Sequence, residues 1–366
     1  MPSINPSRRL RKTPFTPGVE AAGVAGYTVY NHMLLATHFE NVAADCRHLK
    51  QHVQVWDVSC ERQVSIKGPD ARRLVQLLTP RDIANMSPSR CLYVPITDQH
   101  GGMLNDPVLL QPGPDEYWLS IADSDLLYWV LGVATAGGFE VEIREPDVSP
   151  LAVQGPSAGT LMARVFGEAV NGLRFFGCGR FSFQDHAFLV ARSGWSKQGG
   201  FEIYVDDSAL GMSVWAALMA AGEDLNVRAG CPNNIERIEG GLLSYGSDMT
   251  RENSPLECGL GGYVNASQLD TCFGGRALRE ELATGPVRAI RPIEISGDAG
   301  PCTGIWPLYS GGQKVGQVAS AAFSPDFGIT VAIGMIDRDH WGAGNRFEIE
   351  TANGLKNAQV RDKFWN

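Results

Sequence analysis

The sequence predicts an α+β protein with a C-terminal antiparallel β-domain, and three observations carry that reading. Val64-Ser-Ile-Lys-Gly-Pro-Asp70 and Leu151-Ala-Val-Gln-Gly-Pro-Ser157 repeat one pattern of strand, Gly-Pro turn, capping residue and helix. Beyond Thr284-Gly-Pro286 the apolar pattern is strand-like and punctuated by Gly and Pro. A chain of 366 residues with 44% hydrophobic content can bury the cores of two or three domains. The expected division is a region 1–285, made of two lobes at roughly 1–150 and 151–285, followed by a barrel-like domain at 286–366.

The elements follow in order. Residues 1–35 are broken by Pro and Gly and end in Gly26-Tyr-Thr-Val-Tyr-Asn-His-Met33, where Tyr27, Tyr30 and His32 either enter the core or line a cavity. A helix is expected over 39–52, strands over 53–58 and 63–67, and a helix through Leu78 with Pro69 and Asp70 in its first turn. Strands at 93–96 and 107–110 are joined by Thr97-Asp-Gln-His-Gly-Gly-Met-Leu-Asn-Asp106; a strand at 117–121, a helix at 123–136 and a strand at 139–144 come next. A helix at 210–221 precedes Pro232-Asn-Asn234, after which Ile235, Ile238, Leu242 and Tyr245 fall near one face of another. Arg237 lies between those positions and either reaches inward or snorkels at the surface. The β-domain strands are expected at 287–295, 313–322, 329–336, 346–350 and 359–364.

A formal charge of −9 argues against a general nucleic-acid or membrane-surface role. Arg8, Arg9, Arg11 and Lys12 form the one basic cluster, either a solvated arm or a transit peptide that lacks the sustained amphipathic pattern. There is no signal-peptide core and no apolar run of about 18 residues or more. The eight cysteines include no C-x-x-C pair, which predicts free thiols in a reducing, cytoplasmic setting. His48 and His52 share a helix face, but Leu49 stands where a zinc-protease motif needs Glu, so a surface pair and no metal site are expected. G-x-S-x-G, P-loop and Rossmann fingerprints are absent.

The stretch Arg192-Ser-Gly-Trp-Ser-Lys-Gln-Gly-Gly-Phe-Glu-Ile-Tyr-Val205 stands out. Period-two alternation puts Phe201, Ile203 and Val205 on one face and Glu202 and Tyr204 on the other. By itself this is either an ordinary hairpin with a polar outer face or a loop that gathers a carboxylate, two aromatics and a cation around a ligand.

Read together, these segments resemble the glycine-cleavage T-protein (aminomethyltransferase) family of folate-dependent one-carbon enzymes. The marks, in order, are Trp56-Asp-Val-Ser59, Ile66-Lys-Gly-Pro-Asp70, Tyr93 through Gly101-Gly-Met-Leu-Asn-Asp106, Arg192 to Ile203, and Ile235-Glu-Arg-Ile-Glu-Gly-Gly-Leu-Leu-Ser-Tyr-Gly-Ser-Asp-Met249. Ser254-Pro-Leu-Glu-Cys-Gly-Leu260 and Gly316-Gln-Val-Ala-Ser-Ala-Ala-Phe-Ser-Pro325 complete them. Within the family the sequence is most similar to the dimethylsulfoniopropionate (DMSP) demethylases. The details are Pro6-Ser-Arg-Arg-Leu-Arg-Lys-Thr-Pro-Phe15, Gly26 to Leu35, His52-Val-Gln-Val-Trp-Asp57, Glu145-Pro-Asp-Val-Ser-Pro150, Trp195-Ser-Lys-Gln-Gly-Gly200 and Cys231-Pro-Asn-Asn-Ile-Glu-Arg237. The family's Asp-Asp is Asn105-Asp106 here, and its Ile-Gly-Lys is replaced within Phe273-Gly-Gly-Arg276.

The resemblance implies a three-domain cloverleaf around a folate channel, a homodimer, and redox-neutral methyl transfer from a small sulfonium substrate to tetrahydrofolate, with no metal or flavin. It implies Glu202 as the pterin-binding carboxylate, Tyr93 and Arg237 as folate-channel positions, and Asp106, with Asn105 as a weaker candidate, near the reacting centre. Arg237 would meet the folate glutamate tail or order the channel wall. Tyr30, Phe176, Trp195 and Tyr204 are the aromatics expected around the sulfonium, through cation–π contacts of about 0.5–2 kcal/mol each. Arg192, Lys197 and the Arg8–Arg11 segment are the options for the substrate carboxylate. An aminomethyltransferase, a demethylase of another onium compound and a non-catalytic folate binder are the rival readings.

Overall fold

The computed structural model describes residues 7–365; Pro6, which opens the N-terminal motif, lies outside them. The chain divides into two compact units. One holds the residues up to Ala71, Met86–Leu92 and Val108–Asn233; the other holds Arg72–Asn85, Tyr93–Pro107 and the residues from Asn234 on.

The first unit is built on a six-stranded sheet in the order Cys178–Phe183, His186–Ala191, Gly200–Val205, Ser149–Gln154, Val53–Asp57, Val227–Gly230. All neighbours are antiparallel except the last pair. Val55, Val153, Val190, Phe201, Ile203 and Val205 share one core with Leu161 and Met162 of the helix Ala158–Phe166 and with Trp215 and Leu218 of Gly211–Ala221. On the opposite face Leu189, Ala191 and Tyr204 meet Leu110 and Trp118, which belong to a second sheet containing Glu142–Arg144, Gln63–Lys67, Glu116–Ser120 and Val108–Gly113. The strand Gly200–Val205 is therefore buried on both faces, which overrides the polar outer face that its alternation allows. Its expected partition survives: Phe201, Ile203 and Val205 point one way and Glu202 and Tyr204 the other.

In the second unit Arg288–Ile295, Ile329–Asp337, Gln313–Ser324, Trp306–Ser310, Arg346–Thr351 and Gly354–Val360 close an antiparallel barrel, in that order. Ile293, Leu308, Val318, Ile336, Phe347 and Ile349 fill it. Outward-facing Ile290, Val331, Ile333 and Met335 are covered by Met103, Ile238 and Met249. Two expectations are corrected here. The helix after Pro232 spans only Asn234–Glu239, because Gly240 and Gly241 follow and Gly241 takes φ +66°. Leu242 and Tyr245 thus lie beyond it. The expected connection from Thr97 to Asp106 is itself a short ribbon, Ile96–Thr97 against Met103–Asn105, which makes Asn105 a strand residue.

His48 corrects a third. It is 7% exposed, where a surface pair was expected. Nε2 meets the Asn226 carbonyl at 2.9 Å and Nδ1 meets the Gln54 amide at 3.2 Å. Burial and, next, Arg228 push its pKa down to about 4, so the ring is neutral near pH 7. Among the described residues no group of three or more His, Cys, Asp or Glu is placed to hold a metal ion, and no helix is long and apolar enough to cross a membrane. All eight cysteines are free.

The barrel interior gives a direct test of packing. Leu308 is 0% exposed and Leu355 is 67% exposed. Leu308→Ala is expected to destabilise the barrel-containing unit by about 2–5 kcal/mol, against less than about 0.5 kcal/mol for Leu355→Ala, read by denaturant unfolding.

Candidate functional site

Glu202 occupies the middle of the central strand, paired with Ala152 on one side and Ala191 on the other. Directly opposed residues project to the same face, so two methyl groups flank the carboxylate. Glu202 is 6% exposed. Ser193 Oγ donates to its Oε2 at 2.5 Å and the Tyr204 hydroxyl donates to the same oxygen at 3.2 Å. Oε1 accepts no hydrogen bond among the described residues. Burial raises the Glu202 pKa and the two hydroxyls act against that rise. The result is a carboxyl group fixed through one oxygen, with the other left for N–H donors.

The loop before this strand is wound around Gln154. The amide nitrogen donates to the carbonyls of Ser193 and Phe201, and Oε1 accepts from Ser196 Oγ at 2.7 Å. Trp195 is half-buried between Ser193 and Ser196, while Lys197 is exposed with φ +60°. Phe176, half-buried with φ +59°, accepts the Cys91 amide on its carbonyl and gives its own N–H to Arg192 O at 2.9 Å. Its ring shares a cluster with Tyr204. The Tyr204 ring, expected to face a sulfonium, is 1% exposed inside that cluster, so its hydroxyl on Glu202 is its polar contribution. Arg192 Nη1 donates to the carbonyls of Asn171 and Leu173, and its guanidinium lies over Phe201 at 5.3 Å. Tyr30 ends the strand Gly26–Tyr30 and is half-buried. Arg11 donates to Glu145 Oε1 at 2.8 Å, and Arg62 binds the other oxygen of that carboxylate.

The second unit holds its own constellation. Asn105 is 0% exposed, and Asp106 follows it. The Tyr93 hydroxyl donates to Asp106 Oδ2 at 2.8 Å, whereas Oδ1 is buried without a hydrogen-bond partner among the described residues. Burial pushes the Asp106 pKa up to about 7; the Tyr93 bond opposes this and the charge of Asp248 adds to it. The same burial, with Asp106 beside it, raises the Tyr93 phenol well above its ordinary value. Arg237 reaches inward and is 3% exposed. Nε donates to Asn234 Oδ1, Nη1 to Leu242 O and to Asp248 Oδ2 at 2.8 Å, and Nη2 to Ser320 Oγ at 2.7 Å. This network commits the buried guanidinium to neighbouring protein groups.

Ser193, Gln154 and Asp248 lie inside the motifs but carry no role in the sequence reading. A Gln closing the apolar run Leu151-Ala-Val is the one available signal, because a polar side chain at a buried strand position needs partners.

Comparison with known proteins follows this geometry. The GCVT N-terminal domain model matches residues 17–268 and the glycine cleavage T-protein C-terminal barrel domain model matches residues 288–365. The chain is 62% identical over 365 residues to dimethylsulfoniopropionate demethylase DmdA of Ruegeria pomeroyi, with 100% of both chains covered. It is 28% identical over 322 residues to an aminomethyltransferase of Alkaliphilus metalliredigens, covering 86% of each. The glycine cleavage system aminomethyltransferase T structure from Bartonella henselae matches with a TM-score of 0.87 at 22% identity, covering 98% of each chain, and that likeness establishes the fold.

The Asp106 environment has a signed consequence for stability. Its folded-state pKa, about 7, lies above that of an exposed carboxyl, so its favourable contribution is complete in acid and is lost as pH rises through about 7. Asp106→Asn should therefore gain on the unsubstituted protein between about pH 4 and pH 7. Urea unfolding of both proteins across that range measures it, and a constant difference would contradict the assignment. Tyr93→Phe, which removes the one side-chain bond to the carboxylate, is expected to raise the Asp106 pKa further.

Proposed function

We propose a reaction for this chain, which belongs to the glycine-cleavage T-protein family: tetrahydrofolate-dependent demethylation of dimethylsulfoniopropionate. The observation that carries the reading is the match to the Ruegeria demethylase at 62% identity over the full length, against 28% for the Alkaliphilus aminomethyltransferase. The products are 3-methylmercaptopropionate, 5-methyltetrahydrofolate and a proton.

A sulfonium methyl is already electrophilic and leaves behind a neutral thioether, so no acid is needed to expel it. Tetrahydrofolate supplies the nucleophilic N5. The protein has to align two reactants, exclude water and manage one proton; alignment alone can lower a barrier by about 7–11 kcal/mol. Glu202, fixed through Oε2, receives pterin N–H groups on Oε1. Trp195, Phe176 and Tyr30 offer aromatic faces to the sulfonium. Tyr204 supports Glu202 through its hydroxyl. Asp106 is poised near neutral pH to relay the departing proton with Tyr93 on its other oxygen, and buried Asn105 precedes it at the end of the strand Met103–Asn105. Arg237 orders the wall. Exposed Lys197 and, with more of its donors already committed, Arg192 are the cations for the substrate carboxylate. We assign a homodimer in the cytoplasm, a setting that suits eight free thiols.

Protein, DMSP and tetrahydrofolate mixed anaerobically are expected to give 5-methyltetrahydrofolate. Absence of methylated folate with folded, folate-binding protein would remove the substrate assignment. Formation of 5,10-methylenetetrahydrofolate and ammonia with an aminomethyl-lipoyl carrier would replace it with aminomethyl transfer. Glu202→Gln is expected to raise the folate KM by roughly tenfold, the effect of one lost charged hydrogen bond, with less change for DMSP. Trp195→Ala should mainly raise the DMSP KM; equal losses for both substrates would point to a collapsed loop.

A further inference from the structure

We propose that Gln154 is a positioning residue that fixes both the loop carrying Trp195 and, through Ser193, the Glu202 carboxylate. The proposal rests on the reaction above for the roles of Trp195 and Glu202. Gln154 closes the strand Ser149–Gln154 and is 1% exposed. Its amide nitrogen donates to Ser193 O at 3.2 Å and to Phe201 O at 3.4 Å, and its oxygen accepts from Ser196 Oγ at 2.7 Å. A side-chain amide has two N–H donors and one carbonyl acceptor, so a single loop uses both functions at its start, middle and end.

The loop leaves no slack around that amide. A Cβ at Gly194 would fall 2.2 Å from the Gln154 nitrogen, and one at Gly200 would fall 2.4 Å from Val153 O and 2.5 Å from the same nitrogen. Both glycines have φ near +150°, at +150° and +153°. Ser196 is 0% exposed, and its hydroxyl also accepts from the Gln198 amide at 3.1 Å. Trp195 is thus held from its two flanks, by the Ser193 carbonyl before it and the Ser196 hydroxyl after it. Ser193 is the junction: its carbonyl is tied to Gln154 and its hydroxyl to Glu202 Oε2. One buried amide therefore sets the aromatic that meets the sulfonium and the hydroxyl that orients the carboxylate. Removing it frees one loop and loosens two contacts.

The branches separate experimentally. Gln154→Met keeps the length of the side chain and removes all three bonds; Ser196→Ala cuts the Trp195 side and Ser193→Ala cuts the Glu202 side. Hydrogen exchange of residues 193–200 is expected to quicken roughly tenfold in Gln154→Met and severalfold in Ser196→Ala. The DMSP KM should rise roughly tenfold in Gln154→Met and by less in Ser196→Ala. The tetrahydrofolate Kd, measured anaerobically by calorimetry, should rise in Gln154→Met and Ser193→Ala but not in Ser196→Ala. Unchanged exchange and unchanged folate affinity in Gln154→Met would overturn the proposal, as would equal losses for both ligands in Ser196→Ala. If Gln154→Met does not fold, the two serine variants decide by whether each loss stays one-sided. Exchange and folate binding need no turnover of DMSP, so they can fail while the reaction stands, or hold while the substrate assignment falls.

Discussion

A carboxylate buried in the middle of a sheet is the constraint around which the first unit is arranged. An ionised group out of water is costly unless its oxygens are hydrogen-bonded. Glu202 meets that demand with two hydroxyls on one oxygen, one from the strand itself and one from the loop before it. Other features follow from this arrangement. The alanines across from Glu202 keep bulk away from the carboxylate, the loop must turn tightly to bring Ser193 back, and Gln154 fills the interior of that turn. The same strand that supplies Phe201, Ile203 and Val205 to the core thus presents a buried carboxyl group on its other side.

How far this was legible from the sequence differs by residue. Period-two alternation gave the correct faces for Phe201 to Val205, and the strand–Gly-Pro–helix echo marked Gln63–Lys67 before Ala71–Leu78 and Ser149–Gln154 before Ala158–Phe166. Four of the six barrel strands follow from apolar runs between Gly and Pro; Trp306–Ser310 does not, because Pro307 interrupts its pattern, and the last strand is Gly354–Val360 where 359–364 was expected. Coverage was not legible. Alternation cannot say that a second sheet packs over Glu202 and Tyr204. His48 was misread for a related reason: local sequence does not show that Gln54 and the Asn226 carbonyl, from separate segments, enclose it. Site residues came from the ordered set of motifs, and the residues that support them escaped because a Ser beside a Gly or a Gln beside a Gly-Pro reads as turn chemistry.

Burial raises the pKa of both carboxyl groups, and their neighbours act on that rise differently. Glu202 has two donors on one oxygen, and both oppose the effect of burial. Asp106 has one donor, Tyr93, while the negative charge of Asp248 reinforces burial and brings its pKa to about 7. Asp248 is itself held by Arg237 and the Ser244 amide, so the arginine network reaches Asp106 through an intermediate charge. In the proposed reaction, a group that takes and releases a proton gains from titrating near ambient pH, as Asp106 does.

In a sulfonium displacement the positive charge disperses as the methyl leaves the sulfur. Aromatic faces that bind the cation strongly stabilise the ground state at least as much as the transition state, so they select the substrate without by themselves accelerating the step. Rate must come from geometry that is already in place when both reactants arrive. A half-buried tryptophan on a free loop would lose that geometry to rotation. The same tryptophan between a carbonyl and a hydroxyl fixed to one buried glutamine keeps it, at the cost of a loop that tolerates no side chain at Gly194 or Gly200. On the proposed reaction, the bonds that hold the Trp195 loop serve the alignment from which the rate has to come.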